Sequence, residues 1–441
     1  KALKVSSLFR IVSALLLVCL ALGVQAQEVL TRDKAMELTL QHNYDIQVAQ
    51  KNVDVAENNS SIYNSGYLPT ATASGNGSVS YFEGENETVQ GTNTFNATDA
   101  YNYSASAGLN YVLFNGLGRM YNYKQLKEQH NLTELQAQQI IENTVLQLSS
   151  SYYEIARLTE STLILKSALD ISSTRLKRAQ YSYEYGQTTQ IDLLNAEVDV
   201  NNDSINLLNA VQQLENAKRS LNLIMGRDIE TEFAVDTAVS FSLPLSREEL
   251  AELSLQRNIQ IEQTMSQLRN SEFAIRANRA GWFPSLSANA GYAYSGSNNP
   301  NGAFLIGSKS YGPQAGLTLS WNLFDGGTTK TRVQNAKINL ETQEILKDQT
   351  ESSVKRDVLN AYSTYTNSLF VLNAEKANLA TNRKNFDRSD DLYKHGQITS
   401  IEFRQAQLNL RNAQNNYSVA KYNAKNAELA LKQLAGVLLD E

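Results

Sequence analysis

A chain of 441 residues with a formal net charge of −6, 5 Pro, 22 Tyr and a single Cys can bury a large core, yet its composition excludes several classes at once. The acidic balance is not a nucleic-acid footprint, and one cysteine cannot build a disulfide framework or a thiolate metal site. All five prolines (Pro69, Pro244, Pro284, Pro300, Pro313) fall outside the long helical periods, where a missing N–H would break the ladder.

The first predicted element is an export signal over 1–26. Lys1, Lys4 and Arg10 are basic, Ile11 to Leu22 is apolar, and Val24-Gln25-Ala26 precedes a cut at Gln27. An uncleaved anchor is the competing reading, but the run is shorter than the roughly 18 residues that usually span a bilayer. Cys19 lies inside this segment and follows Val18, not the small residue of a lipoprotein signal. Cleavage removes three basic residues and takes the net charge from −6 to about −9. No later segment is apolar enough for a transmembrane helix.

The remainder is a duplication. Thr31 to Pro69 matches Ser246 to Pro284 at an offset of 215, with Glu37/Glu252, Asn43/Asn258, Ile46/Ile261 and Pro69/Pro284 among the identities. From Leu113-Phe114-Asn115-Gly116 and Leu323-Phe324-Asp325-Gly326 onward the offset is 210, and it holds through Tyr183/Tyr393, Gly186/Gly396 and Gly226/Gly436. The repeats are 27–226 and 246–441, joined by a linker over 227–245. Each predicts one helix (about Asp33 to Gly66; Arg247 to Gly281), two strands, a very long helix (about Leu117 to Tyr185; Thr328 to His395), a Gly turn and a final helix (about Gln190 to Met225; Ser400 to Ala435). About 69 residues at ~1.5 Å each give a rod near 100 Å, and the two shorter helices sum to the same length. This predicts a bundle of rods with strands at one end and Gly turns at the other.

The strands, over about 71–82, 103–114, 285–295 and 312–323, alternate apolar and small polar residues. Ala105, Ala107, Leu109, Tyr111 and Leu113 interleave with Ser104, Ser106, Gly108 and Asn110. Ten residues suit a tilted membrane strand. Trp282 and Trp321, with Tyr111, Phe114 and Phe324, suit an aromatic girdle. Phe82 to Asn102 and Ser297 to Ser310 read as polar loops. A soluble β-sandwich is the other reading of the strands alone. In lipid a sheet must close, and four strands are too few, so two chains would give eight and three twelve.

The final helices carry heptad seams: Leu193, Val200, Leu207, Leu214 and Leu221, with Ala196, Asp203, Ala210 and Ala217 three positions on. Helices alone fit equally a non-conducting periplasmic coiled-coil scaffold. Nothing points to catalysis or to a cofactor: His42, His130 and His395 lack partners at metal spacing, and Gly326-Gly327 lacks a phosphate-loop pattern.

Taken together, the duplication, the Pro-led strands, the Leu-Phe-Asn/Asp-Gly lead into the long helix, and the paired turns Tyr183-x-x-Gly186 and Tyr393-x-x-Gly396 resemble the TolC family of outer-membrane efflux proteins. The resemblance implies a mixed α+β membrane protein, a homotrimer whose twelve-stranded β-barrel sits in outer-membrane lipid and continues as a periplasmic helical barrel. It implies an exit duct, docked through the turns at Tyr183, Gly186 and Gly396 on a periplasmic adaptor (membrane fusion protein) and an inner-membrane RND or ABC pump. It also implies a gate at the tip. Glu402 takes the position of a constricting acidic residue, and Asp192 and Tyr393 those of closing links. Gln405 stands where a second acidic ring is often found, and Ile398 where a basic residue sometimes is.

Overall fold

The computed structural model describes residues 29–89, 91–242, 246–299 and 306–440. The export segment expected over 1–26 lies outside them, as do 243–245 of the linker and 300–305 of the second strand connection. In chain order the elements are β1 (Val29–Leu30), α1 (Arg32–His42), α2 (Tyr44–Asn59), β2 (Thr70–Thr88), β3 (Gly91–Asn115), α3 (Gly118–Glu184), α4 (Gln190–Ile224), β4 (Ala234–Val235), α5 (Arg247–Arg257), α6 (Ile259–Arg279), β5 (Ser285–Asn298), β6 (Gly307–Ser320), α7 (Thr328–Lys394) and α8 (Ser400–Leu434). Two compact units cut across the repeats. A helical unit takes the chain up to Gln50, Gln136–Ile261 and Thr350 onward; a sheet unit takes Lys51–Leu135 and Glu262–Gln349.

The single opening helix expected in each repeat is two helices. The break falls at Asn43 and Asn258, both extended, with ψ of 132° and 124°. The cause is tertiary. The Asn43 amide donates to Ile224 O at 2.8 Å, and the Asn258 amide to Leu434 O at 2.9 Å, so each caps a carbonyl at the end of a final helix. Each Asn Oδ1 also accepts from the backbone of the next helix, at Ile46 and Gln260. The final helix turns away through Gly226 and Gly436, with φ of 66° and 71°. A Cβ there would lie 2.1 Å from His42 O and 2.5 Å from Arg257 O, so only glycine fits.

Among the described residues the helical unit has two apolar centres, the first of which draws Tyr422, Leu429 and Leu438 of the second repeat in beside residues of the first. Leu30, Leu148, Tyr152, Ile155, Leu221, Met225 and Phe233 form the first. Leu250, Ile261, Val354, Val358 and Leu431 form the second. Parallel pairing of β1 with β4 brings Val29 and Leu30 to the linker. The Tyr152 hydroxyl fixes both, donating to Leu30 O and accepting from Asp236 N.

The linker is then strapped along α8. Lys425 Nζ donates to Ser240 O at 2.9 Å, Lys432 Nζ to Ser242 Oγ at 3.0 Å, and Lys421 to Thr237 O. Fully buried Glu428 pairs with both of the two deeper lysines, and Glu160 pairs with Lys421. Burial first, then the Glu160 charge, pushes the Tyr422 phenol far above its ordinary range, so it stays a donor to Glu160 and Thr237 O.

In the sheet unit the strands pair antiparallel in the order β2-β3-β5-β6. The β2–β3 ladder continues to Thr88↔Gly91, so most of Phe82 to Asn102, expected as a loop, is paired strand. Backbone pairing needs no apolar face, and Thr-rich chain extends readily, so the ladder outlasts the alternation that signals it. β6 begins earlier and ends earlier than expected, leaving Trp321 and Leu323 beyond it. In β3 a register shift between Val112 and Phe114 sets Phe114, not Leu113, opposite Leu286.

Candidate functional site

Register sorts the sheet into two unlike faces. On one, Thr72, Gly108, Gly291 and Gln314 form one row, Ser74, Ser106, Ala293 and Gly312 the next, and Asn76, Ser104, Ser295 and Ser310 another. On the other, the rows are Ala71, Leu109, Ala290 and Ala315, then Ala73, Ala107, Tyr292 and Pro313, then Gly75, Ala105, Tyr294 and Tyr311. The first face suits water and the second hydrocarbon.

Aromatics bound the apolar face on two sides. Tyr111 and, after the bulge, Phe114 lie in its rows nearest the helices. Trp321 donates its indole N–H to Trp282 O at 3.2 Å, so the two tryptophans meet just below the strands. Phe324 lies beyond β6 and is exposed. The opposite boundary went unread in the sequence: Tyr294 stacks on Tyr311 with centroids 6.3 Å apart, and meets Tyr103 in a tilted pair at 6.1 Å. From the row of Tyr294 to that of Leu286 is eight residues along β5. At ~3.3 Å per residue and a tilt of ~40° this gives an apolar band of ~20 Å.

The two turns of the helical unit have the same backbone. Gly186 and Gly396 have φ of 70° and 71°, and Gln187 N and Gln397 N donate five residues back, to Ser182 O and Leu392 O. Thr189 and Thr399 then cap α4 and α8 in capping boxes with Asp192 and Glu402. Asp192 accepts from Thr188 at 2.6 Å and Thr189 at 3.0 Å; Glu402 accepts from Thr399 N at 2.8 Å and its hydroxyl at 2.9 Å. These bonds hold both carboxyls below their ordinary values. Thr188 is the main cause at Asp192 and the Thr399 backbone at Glu402, so both are ionised at neutral pH.

Beyond the backbone the turns differ. Tyr393 stacks on Phe403 at 4.7 Å, Phe386 sits 5.7 Å from Phe403, and the Arg178 guanidinium lies 5.2 Å from the Tyr393 ring. Tyr183 is exposed, with no such stack among the described residues. Asp192 and Tyr393 are therefore engaged separately within one chain and are not joined to each other. Gln405 is exposed and bonds Asn409 on its own helix.

A charged link about three turns beyond Asp192 along α4 was not singled out in the sequence. Asp203, fully buried, receives Arg404 through two bonds of 2.8 and 3.0 Å and Arg411 at 3.4 Å. Arg404 also reaches Asp199 at 3.3 Å, and buried Arg175 of α3 pairs with Asp199. The signal was present: Asp203 is the one charged residue in a seam row otherwise made of Ala196, Ala210, Ala217 and Ile224. The same α4 carries a second stripe, Ile191, Leu194, Val198, Ile205 and Leu208, at heptad spacing and 49–69% exposed. One seam is filled within the chain and the other is open.

The chain matches the family model for outer membrane efflux protein over 35–227 and 250–437. It is 22% identical over 304 residues to the outer membrane protein TolC of Vibrio cholerae, covering 67% of this chain and 68% of that one. It is 24% identical over 400 residues to the probable efflux pump outer membrane protein TtgC of Pseudomonas putida, covering 86% and 77%. Its fold is similar to that of the Campylobacter jejuni CmeC outer membrane channel, with a TM-score of 0.77 at 15% identity over 92% and 86% of the two chains. With both repeats matched and a two-faced sheet joined in sequence to long helices, this chain is an outer-membrane channel subunit reaching into the periplasm, a member of the outer membrane efflux protein family.

Proposed function

We propose that three copies of this chain form the passive exit duct of a tripartite efflux or type I secretion machine. The observation that carries this is the open four-stranded sheet with one watery and one apolar face, whose edge strands β2 and β6 lack partners among the described residues. In lipid such edges must be paired, and three copies supply the twelve strands of a closed barrel. The open stripe of α4 supports lateral packing of copies in the helical part. Residues 27–226 and 246–441 are then two repeats that each give a share of barrel and tunnel, and 227–245 is the strapped connection between them.

The turns serve as the periplasmic tip. Ionised Asp192 and Glu402 place negative charge at its aperture, with Gln405 a neutral step beyond. The Asp203–Arg404–Arg411 link restrains α4 against α8. A Cβ at Gly186 or Gly396 would meet open space, so these turns, with Tyr183, are free to receive a periplasmic adaptor that couples to an inner-membrane RND or ABC pump. The chemistry is conduction, the role of the family of channel proteins to which the chain belongs.

Purified protein in a planar bilayer is expected to give discrete conductance steps with cation preference, and Glu402→Gln to weaken that preference. A product released from cells without detergent, and silent in the bilayer, would instead support the periplasmic scaffold.

A further inference from the structure

Two hollows adjoin on the apolar face of the sheet. The larger, about 850 Å³, is lined by Tyr67, Leu68, Leu109, Tyr111, Ala290 and Leu317. The second, about 540 Å³, continues it across Ala71, Ala73 and Ala107 and shares Leu109 and Ala290. The trough exists because successive rows place alanine where leucine or tyrosine flank it. Its lining is apolar apart from Asn289 and Thr72, and a cation stands at its foot.

There Arg119 sits between the two tyrosines, its guanidinium carbon 4.4 Å from the Tyr67 ring centre and 5.8 Å from that of Tyr111. Its Nη1 donates to Gly66 O at 3.1 Å and Val112 O at 2.7 Å. Its Nε and Nη2 make no hydrogen bond among the described residues. A cation fixed by stacking and two carbonyls, with donors to spare beside an apolar trough, matches a phosphate joined to a hydrocarbon chain.

Resting on the reading of this face as the lipid face, we infer that the trough is a site for one glycerophospholipid of the leaflet next to the helices. One acyl chain lies over the alanines and the phosphate meets Arg119. On the twelve-stranded reading, copies join through the in-plane edges of β2 and β6, the two ends of this sheet, which leaves its apolar face to lipid.

The test is native mass spectrometry of the full detergent-purified assembly, delipidated and titrated with phosphatidylglycerol. The expected result is retention of one lipid per chain, with apparent affinity lowered about tenfold by Ala290→Phe, which fills both hollows from the lipid side. Ala315→Leu is the second filling variant, should the first not assemble. Arg119→Gln should abolish the preference for phosphatidylglycerol over a diacylglycerol of the same chains. No retained lipid, equal retention by the filled variants, or equal retention of diacylglycerol by the unmodified protein would overturn the assignment. So would displacement by inorganic phosphate alone, which would make the site a free-anion site. Conductance of the same preparation separates the two readings: a conducting assembly that holds no lipid refutes this site and leaves the duct intact.

Discussion

The two turns of the helical unit share a backbone and part company in their side chains. Both use a positive-φ glycine, the same carbonyl caps and a Thr-led capping box. Yet the second turn rests on Tyr393, Phe403 and Phe386, where the first has Tyr183, Leu193 and Leu176 at the matching positions. The charged link shows the same divergence. Arg404 and Arg411 of α8 correspond to Leu194 and Asn201 of α4, while Asp199 and Asp203 of α4 correspond to Asn409 and Ala413 of α8. The duplication supplied one scaffold, and substitutions then made one final helix anionic and its copy cationic where they meet. The apolar residue left behind at Leu194 joins the open stripe. The copies thus became complementary to each other within a chain, while α4 kept an open apolar stripe, the surface on which the proposed assembly rests.

Breaking that second face should have the largest effect. Leu208→Asp is expected to abolish the assembly while leaving helical content intact, as sedimentation and circular dichroism would show. An assembly unchanged by Leu208→Asp and Ile205→Asp together would mean the stripe is not an interface.

Next comes the charged link. Asp203→Ala strands two arginines, one of them largely buried, and should destabilise the helical unit by about 3 kcal/mol, since removing one partner of a buried pair typically costs ~3–5 kcal/mol. A double-mutant cycle of Asp203→Ala with Arg404→Ala should give a coupling above ~1 kcal/mol; strict additivity would show that the pair does not act as a unit.

The aromatic difference follows. Phe403→Ala removes a buried, stacked ring and should lower stability by ~3 kcal/mol, whereas Leu193→Ala at the matching, half-exposed position should lower it by ~1 kcal/mol. Equal losses in thermal unfolding would erase the distinction between the turns.

The smallest effect tests what the turns share. Thr189→Ala and Thr399→Ala should each cost ~1 kcal/mol. Because the Asp192 and Glu402 carboxyls titrate below their unfolded values, their contribution is complete above the unfolded pKa, near pH ~4. It declines as pH falls through the lower folded values. In the Thr399→Ala protein this acid dependence should flatten, and an unchanged pH profile would count against the capping boxes.

Much of this was legible in the sequence because it is periodic. The heptads of α4 and α8, the lengths of α3 and α7, and the Gly turns follow from local pattern. What escaped depends on distant residues. Asn43 and Asn258 look like ordinary polar positions in a helix; they break it because a carbonyl and a glycine from another helix arrive there. The bulge after Val112 moves Phe114 to the apolar face without a mark in the alternation. The Tyr103, Tyr294 and Tyr311 boundary needs strand register to come together. The candidate gate residues were placed on the turns by motif, but their bonds to Thr188, Thr189 and Thr399, and the separation of Asp192 from Tyr393, required coordinates. Asp203 was visible as an intruder in its seam, although its partners sit about 200 residues away.

The most direct test of the account is single-channel recording of the detergent-purified assembly beside its Asp203→Ala variant. The unmodified protein is expected to give small, cation-preferring steps, and the variant larger steps once α4 is released from α8. Silence from both proteins in bilayers would contradict this, and so would identical steps from a variant shown to have lost the link.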